Sequence, residues 1–180
     1  MRRLPTAALL CLVLALVAVA CGGDDEQEQQ GGVEAPAARA PELPRNVEAI
    51  AAAIATDLTA RPEIPKPQGD PPTRLIVEDV VAGDGLEAKA GDQVTVHYAG
   101  TSWSTGEEFD ASWNTGQPLA FPLGQGQVIP GWDQGVAGMK PGGRRLLVIP
   151  PELGYGPEGQ PPVIAANETL VFVVDLRRIG

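Results

Sequence analysis

The chain has 180 residues, enough for one domain of ordinary size and an extension beside it. Its 13 Lys and Arg against 23 Asp and Glu leave a net charge of −10, which excludes nucleic acid as the main partner, because phosphate binding needs a positive field. A single histidine, His97, excludes a multi-histidine metal site, and the only cysteines, Cys11 and Cys21, come too early to staple anything that follows.

Residues 1–20 read as an export signal. Arg2 and Arg3 form a positive start, and the apolar run from Leu9 to Val19 is too short to be read as a spanning helix. The run ends in Ala18-Val19-Ala20-Cys21. Small residues leading into a cysteine resemble the lipobox of bacterial lipoproteins, although Ala18 stands where Leu is usual. Cleavage there makes Cys21 the lipid-modified N-terminus and places the protein outside the cytoplasm on a membrane. Without lipid on Cys21, the Ala-x-Ala before it makes the protein a secreted one. Loss of residues 1–20 removes two bases and no acid, so the remaining chain carries −12.

Residues 21–72 read as a tether. Residues 22–34 hold five acids, no bases and three Gln, a composition that favours disorder. Eight prolines between 36 and 72 favour extended chain. The exception is Asn46 to Leu58, where Val47, Ile50, Ile54 and Leu58 fall near one helical face and Asn46 is placed to cap it. An accessory helix packed on the outside of the following domain is expected, with a docking helix as the alternative.

The composition changes at Thr73. All eight aromatic residues lie between Tyr98 and Phe172. Leu75–Val77, Gln93–Tyr98, Arg144–Ile149 and Thr169–Ile179 read as strands. In the second, Val94, Val96 and Tyr98 share one face and Thr95 and His97 the other. In the last, Leu170, Phe172, Val174 and Leu176 share a side. One helix is evident: Pro130 suits its first turn, and Trp132, Val136 and Met139 share a face. One helix against an antiparallel sheet gives an α+β domain over 73–180, and a chain cut back to about Pro71 is expected to fold cooperatively.

Much chemistry is excluded. No Gly-x-Ser-x-Gly elbow and no phosphate-cradling Gly-Lys-Ser/Thr loop is present. His97 sits mid-strand among alternating residues and reads as structural. Glu107 and Glu108 read as solvated turn charges, whereas Asp110 follows Phe109 where the chain re-enters an apolar region. What remains is a set of large apolar residues beside loops. Val128-Ile129-Pro130-Gly131-Trp132 leads into the helix, and Gly154-Tyr155-Gly156 suspends a tyrosine between two flexible residues. Such placements suit the walls of an apolar pocket with few polar groups.

The stretches VTVHYAGT at 94–101, EEFDASW at 107–113, FPLGQGQVIPGWDQGVAGMKPGGRRLLVIPPELGYG at 121–156 and ETLVFVVDL at 168–176 resemble the FKBP family, the tacrolimus-binding immunophilins that act as peptidyl-prolyl isomerases. The resemblance covers essentially all of 73–180. It implies a half-open antiparallel sheet of about five strands wrapped over one short helix, with a substrate pocket between them. The pocket it implies has Trp132 as its floor and Tyr98, Phe109 and Phe172 as its sides. Phe121, Val128, Val163 and Ile164 complete the lining. The Ile129 amide and the Tyr155 hydroxyl would hold substrate carbonyls, and Asp110 would bond near Tyr98. Thr115, Leu119, Gln127 and Gln160 stand where the family often has Arg, Phe, Glu and His, and Ala165-Ala166 replaces two frequent prolines. These differences bear on ligand preference.

The resemblance implies proline-containing exported polypeptides as partners, macrolides of the tacrolimus or rapamycin type as ligands, and no cofactor; a monomer is expected. Rotation about X-Pro is slow because the amide has partial double-bond character. The twisted transition state loses that resonance and is less polar, so a dry aromatic pocket favours it over the planar amide. A 10⁴-fold acceleration needs only about 5.4 kcal/mol, which apolar contact and a few hydrogen bonds can supply. A non-catalytic peptide-binding or chaperone module of the same fold is the alternative. A surface adhesin using the Pro-rich tether has little beyond composition behind it.

Overall fold

The computed structural model describes residues 43–180. The signal segment, Cys21 and the acidic run at 22–34 lie outside the described residues.

Six strands form one antiparallel sheet: β1 (Ile76–Val81), β2 (Gln93–Ser102), β3 (Glu108–Ala111), β4 (Leu119–Pro122), β5 (Gly143–Ile149) and β6 (Leu170–Ile179). Their order is β1-β5-β6-β2, and the far edge of β2 is shared by two short strands. β3 pairs with Ala99–Thr101 and β4 with Gln93–Val96. The sheet thus has one strand more than the five or so expected. At four residues each, β3 and β4 are too short to show a period.

Helix α2 (Pro130–Gly135) lies on the inner face. Its approach to β5 depends on two glycines. A Cβ at Gly131 would stand 2.4 Å from Ile149 Cγ2, and one at Gly135 would stand 2.7 Å from Leu147 Cδ2. Val94 and Val96 of β2, Leu147 and Ile149 of β5, and Leu170, Phe172, Val174 and Leu176 of β6 form the inner core with Trp132, Val136 and Met139. Arg145 of β5 fixes the end of α2. Its guanidinium donates to the carbonyls of Gly135 (2.8 Å) and Ala137 (2.9 Å) and forks onto Asp79 of β1. A cation at the end of a helix satisfies carbonyls that have no partner within it.

The outer face is also covered. Helix α1 (Arg45–Ala53) begins the described chain, and its Val47 and Ile50, with Ile54 just beyond, pack on Ile76, Trp103, Leu146, Val148, Val171 and Val173. The helix is shorter than the span expected to Leu58, because Ile54 is already extended at ψ 125°. Its cap is Pro44 rather than Asn46. The Asn46 amide instead donates to the carbonyls of Gln68 (3.1 Å) and Asp70 (2.9 Å), closing residues 46–70 into a loop over the sheet.

Arg144, beside Arg145 in β5 but facing outward, is fully buried beneath that loop. It forks onto Asp175 of β6 through Nε (2.6 Å) and Nη2 (2.7 Å), and donates to the carbonyls of Ala55 (2.5 Å) and Ala60 (3.0 Å). The compact unit therefore starts well before the compositional break at Thr73. The Pro-rich stretch 62–72 forms neither helix nor strand and is tied to the sheet where Trp103 Nε1 donates to the Gly69 carbonyl.

Candidate active site

Between α2, β2, β3 and the loop after β5 lies an open pocket of about 190 Å³. Its lining is Tyr98, Phe109, Asp110, Leu119, Gln127, Val128, Ile129, Trp132, Tyr155 and Phe172. The aromatic rings brace one another edge to face. Trp132 stands 5.0 Å from Tyr98 and 5.2 Å from Phe172, and Phe109 stands 5.3 Å from Phe172, all with interplanar angles above 80°. Such pairs fix ring positions beyond what burial alone does. Trp132, in the first turn of α2, is buried, so its face makes the pocket floor.

The polar groups are few. The Tyr98 hydroxyl donates to Asp110 Oδ2 at 2.5 Å. Burial, then that hydrogen bond and the negative charge of Asp110, push the Tyr98 hydroxyl well above the usual tyrosine range. Burial and the same carboxylate also raise the Tyr155 hydroxyl. Both are therefore held protonated as donors at neutral pH. Ile129 precedes α2 with extended backbone (ψ 147°), and its carbonyl accepts the amides of Trp132 and Asp133. Its own N–H donates to no backbone carbonyl outside the strands and helices. A donor pair, an aromatic box and one fixed carboxylate can grip a peptide. Among the described residues no three metal-ligating side chains cluster.

A family model described as FKBP-type peptidyl-prolyl cis-trans isomerase matches residues 85–177. The chain belongs to this family. The FKBP domain is 59% identical over 117 residues to an FK506-binding protein of Streptomyces anulatus, a match spanning 64% of this chain and 94% of the relative. An FK506-binding protein of Neisseria meningitidis serogroup B is 50% identical over 106 residues, 58% of this chain and 95% of the relative. The crystal structure of AtFKBP13 superposes with a TM-score of 0.56 at 38% identity, covering 61% of this chain and 96% of that one. The half-open antiparallel sheet over a short helix is the FKBP fold.

Eight of the eleven residues named from the sequence line the pocket of this FKBP domain: Tyr98, Phe109, Asp110, Val128, Ile129, Trp132, Tyr155 and Phe172. Phe121 does not. β4 pairs with Val94 at that residue and sends the ring into the core, 5.7 Å from Trp132, so it backs the floor. Val163 and Ile164 line a depression next to the pocket, which shares Phe109, Asp110 and Tyr155 with it and also takes in Gln160. Val163 is exposed there, and Ile164 is largely buried. Of the variant positions, Leu119 and Gln127 line the pocket, whereas Thr115 turns its hydroxyl onto the Ser112 carbonyl (3.2 Å) and lines none of it.

His97 faces away from Tyr98. Its Nδ1 lies 3.0 Å from Ser112 Oγ, and its ring stacks on Trp113 at 4.5 Å. Two residues escaped the sequence reading. Ser112 takes the Tyr98 amide on its Oγ at 2.8 Å and thereby fixes the backbone under that ring. Gly100 leaves the space that Phe172 and Phe109 occupy. A glycine inside a strand is the signal that marks it.

Proposed function

We propose that this protein is a peptidyl-prolyl cis-trans isomerase that assists the folding of exported polypeptides from a lipid anchor on the outer side of a membrane. One observation carries the catalytic reading: an aromatic box of Tyr98, Phe109, Trp132 and Phe172 in which the one charged lining residue, Asp110, accepts a hydrogen bond from a tyrosine hydroxyl. A prolyl ring settles on Trp132, the Ile129 amide and Tyr155 hydroxyl take carbonyls of the chain, and water is excluded from the amide as it twists. The planar ground state, being the more polar, is the one disfavoured. A bulky apolar residue before the proline is preferred, because Phe109, Val163 and Ile164 flank that position. Membership of the family supports this reading, and relatives named as FK506-binding proteins support a macrolide as a second occupant of the same box.

A protease-coupled assay with a proline tetrapeptide tests it. Wild type is expected to accelerate isomerisation, and Trp132→Ala to lose at least about tenfold in kcat/KM. Peptide binding without acceleration would make the domain a peptide-binding module instead. The pH profile distinguishes mechanisms. General acid–base catalysis gives a bell, whereas desolvation gives a nearly flat rate over about pH 6–8, since both tyrosines stay protonated there.

His97 is the one side chain whose ordinary range falls in that window, and burial, then the Arg177 guanidinium, lowers it. A histidine lowered by folding binds its proton better when unfolded. Its contribution to stability is thus complete above about pH 6.5 and is lost as pH falls through the folded value. His97→Gln is expected to flatten that acid-side loss of stability and to leave the isomerase rate within about threefold. A steep rate change on the acid side of about pH 6.5 that His97→Gln abolishes would overturn the mechanism.

The anchor rests on the apolar run before Cys21 and the glycine-rich acidic start after it. A single acyl chain binds membranes weakly, whereas a lipoprotein's several chains hold stably. Cys21→Ser is expected to move the protein from the membrane fraction to the soluble one. Intact mass of membrane-bound protein with no added lipid on Cys21 would refute it.

A further inference from the structure

The segment between α1 and β1 touches one small element at three places. Arg61 donates through Nη1 to Asn114 Oδ1 at 2.9 Å and through Nη2 to the Glu108 carboxylate. Asn114 Nδ2 donates to the other oxygen of Glu108 at 3.1 Å, which closes a three-membered network. Lys66 lies on the β2–β3 turn, where a Cβ at Gly106 would stand 2.7 Å from Lys66 Cγ. Trp103 Nε1 donates to the Gly69 carbonyl at 3.0 Å. Residues 103–114 comprise the turn, β3 and the short 3₁₀ turn Ser112–Asn114 that follows it.

The gripped element is a wall of the pocket. Phe109 and Asp110 lie between Glu108 and Asn114, the two residues that Arg61 holds. β3 is a four-residue edge strand, and its pairing with β2 breaks register between Gly100 and Thr101. A short edge strand with an interrupted ladder has little hold of its own. Inside the pocket the Tyr98–Asp110 hydrogen bond also fastens β3, and Ser112 Oγ ties the turn after it to the Tyr98 amide.

We propose that Arg61 is a positioning residue for the pocket: by holding Glu108 and Asn114 on either side of Phe109 and Asp110, it lets the N-terminal segment set the wall of the site. The inference rests on the isomerase reading for its functional consequence. Arg61 touches no substrate and acts through β3. The guanidinium suits the task because its planar fork reaches an amide oxygen and a carboxylate at once, which an ammonium on a flexible stem does not. The side chains of Arg61 and Glu108 are 41% and 29% exposed, so the coupling is modest and weakens with salt.

The experiment uses the full chain and an uncharged proline tetrapeptide. Arg61→Ala is expected to lower kcat/KM about two- to fivefold at low salt. Raising ionic strength to about 1 M is expected to bring wild type to the same rate and to leave Arg61→Ala unchanged. Glu108→Ala should match Arg61→Ala, and the double variant should be no slower than either. Arg61→Lys should recover only part of the rate. Hydrogen exchange at the Phe109–Ala111 amides should quicken in Arg61→Ala, with β5 and β6 amides unchanged.

Asn46→Ala, which loosens the segment where it meets α1, serves as the control for general destabilisation and should keep the wild-type rate. Equal loss in Asn46→Ala and Arg61→Ala at equal thermal midpoints overturns the proposal, as does wild-type rate and exchange in Arg61→Ala. Wild type without isomerase activity would refute the function proposed above, and unchanged β3 exchange in Arg61→Ala would then refute the positioning separately.

Discussion

A chain that begins at Pro71 is expected to lose most of its stability and to bind a hydrophobic dye strongly, although it keeps every strand and the whole pocket lining. The loss follows from what the missing segment covers. Val47, Ile50 and Ile54 are 0, 3 and 4% exposed. Burying three such side chains contributes at most about 5–9 kcal/mol, against a typical total of about 5–15 kcal/mol for a domain. The sheet loses its cover as well, leaving Leu146, Val148, Val171, Val173 and Trp103 in water. Arg144 and Asp175 stay paired, but the guanidinium loses the carbonyls of Ala55 and Ala60. Water takes the place of those acceptors once the loop that buried Arg144 is gone, so this loss is small beside the apolar one. Ile50→Ala in the full chain should cost about 2–4 kcal/mol by itself. Thermal unfolding followed by circular dichroism checks both. A midpoint for the shortened chain within a few degrees of wild type would mean that the outer face is held by something other than α1.

The periodicities that can be read in the sequence are those of the long elements. β2 and β6 are ten residues each, long enough to be read as strands despite a local irregularity. β3 and β4 are set by pairing with β2, a contact between residues distant in the chain, and four residues cannot announce it. The outer core had a signal that a one-sided reading passes over. Leu170–Val174 and Leu146–Ile149 are apolar at every position, and a strand open to water on one side alternates instead. Continuous apolar strands require a second cover, and among the described residues Val47, Ile50 and Ile54 supply it. Taking proline-rich composition as a sign of detachment misplaced the edge of the fold: proline excludes helix and ladder donation, but it does not exclude an extended segment pinned by Asn46, Arg61 and Trp103.

The pocket lining left signals of its own in the sequence, because several of its residues sit where local rules are broken. A tryptophan one turn into a helix that opens with Ile-Pro-Gly, and a tyrosine between two glycines, have no purely local reason, and both line the pocket. Phe121 misled because a large apolar residue beside such loops looks the same whether it faces the pocket or the core; only the register of β4 on Val94 decides. Gly100 misled in the other direction, since an absent side chain contributes no motif.

Gly100→Ala is expected to lower kcat/KM by about 10- to 100-fold while the chain still folds. A methyl group there would stand 2.6 Å from Phe172 Cε1 and 2.9 Å from Phe109 Cζ. Neither contact is relieved by bending a flexible end, because both partners are rigid rings. Phe172 is wedged edge-on between Trp132 and Phe109, so any swing away from β2 shifts the floor or the wall of the pocket. Overpacking of this kind costs about 1–3 kcal/mol, well short of unfolding a domain. On the isomerase reading proposed above, the catalytic loss is larger because the box must fit a twisted prolyl amide, and displacements of about 1 Å are costly there. Adding Phe172→Leu removes the ring that the methyl strikes, so the double variant should regain thermal stability over Gly100→Ala alone while remaining a poor isomerase. The midpoint and the tetrapeptide rate, measured on the three variants, separate relief of strain from repair of shape. A wild-type rate in Gly100→Ala would show that the two rings have room the structure does not give them, and the dry box would no longer explain the rate.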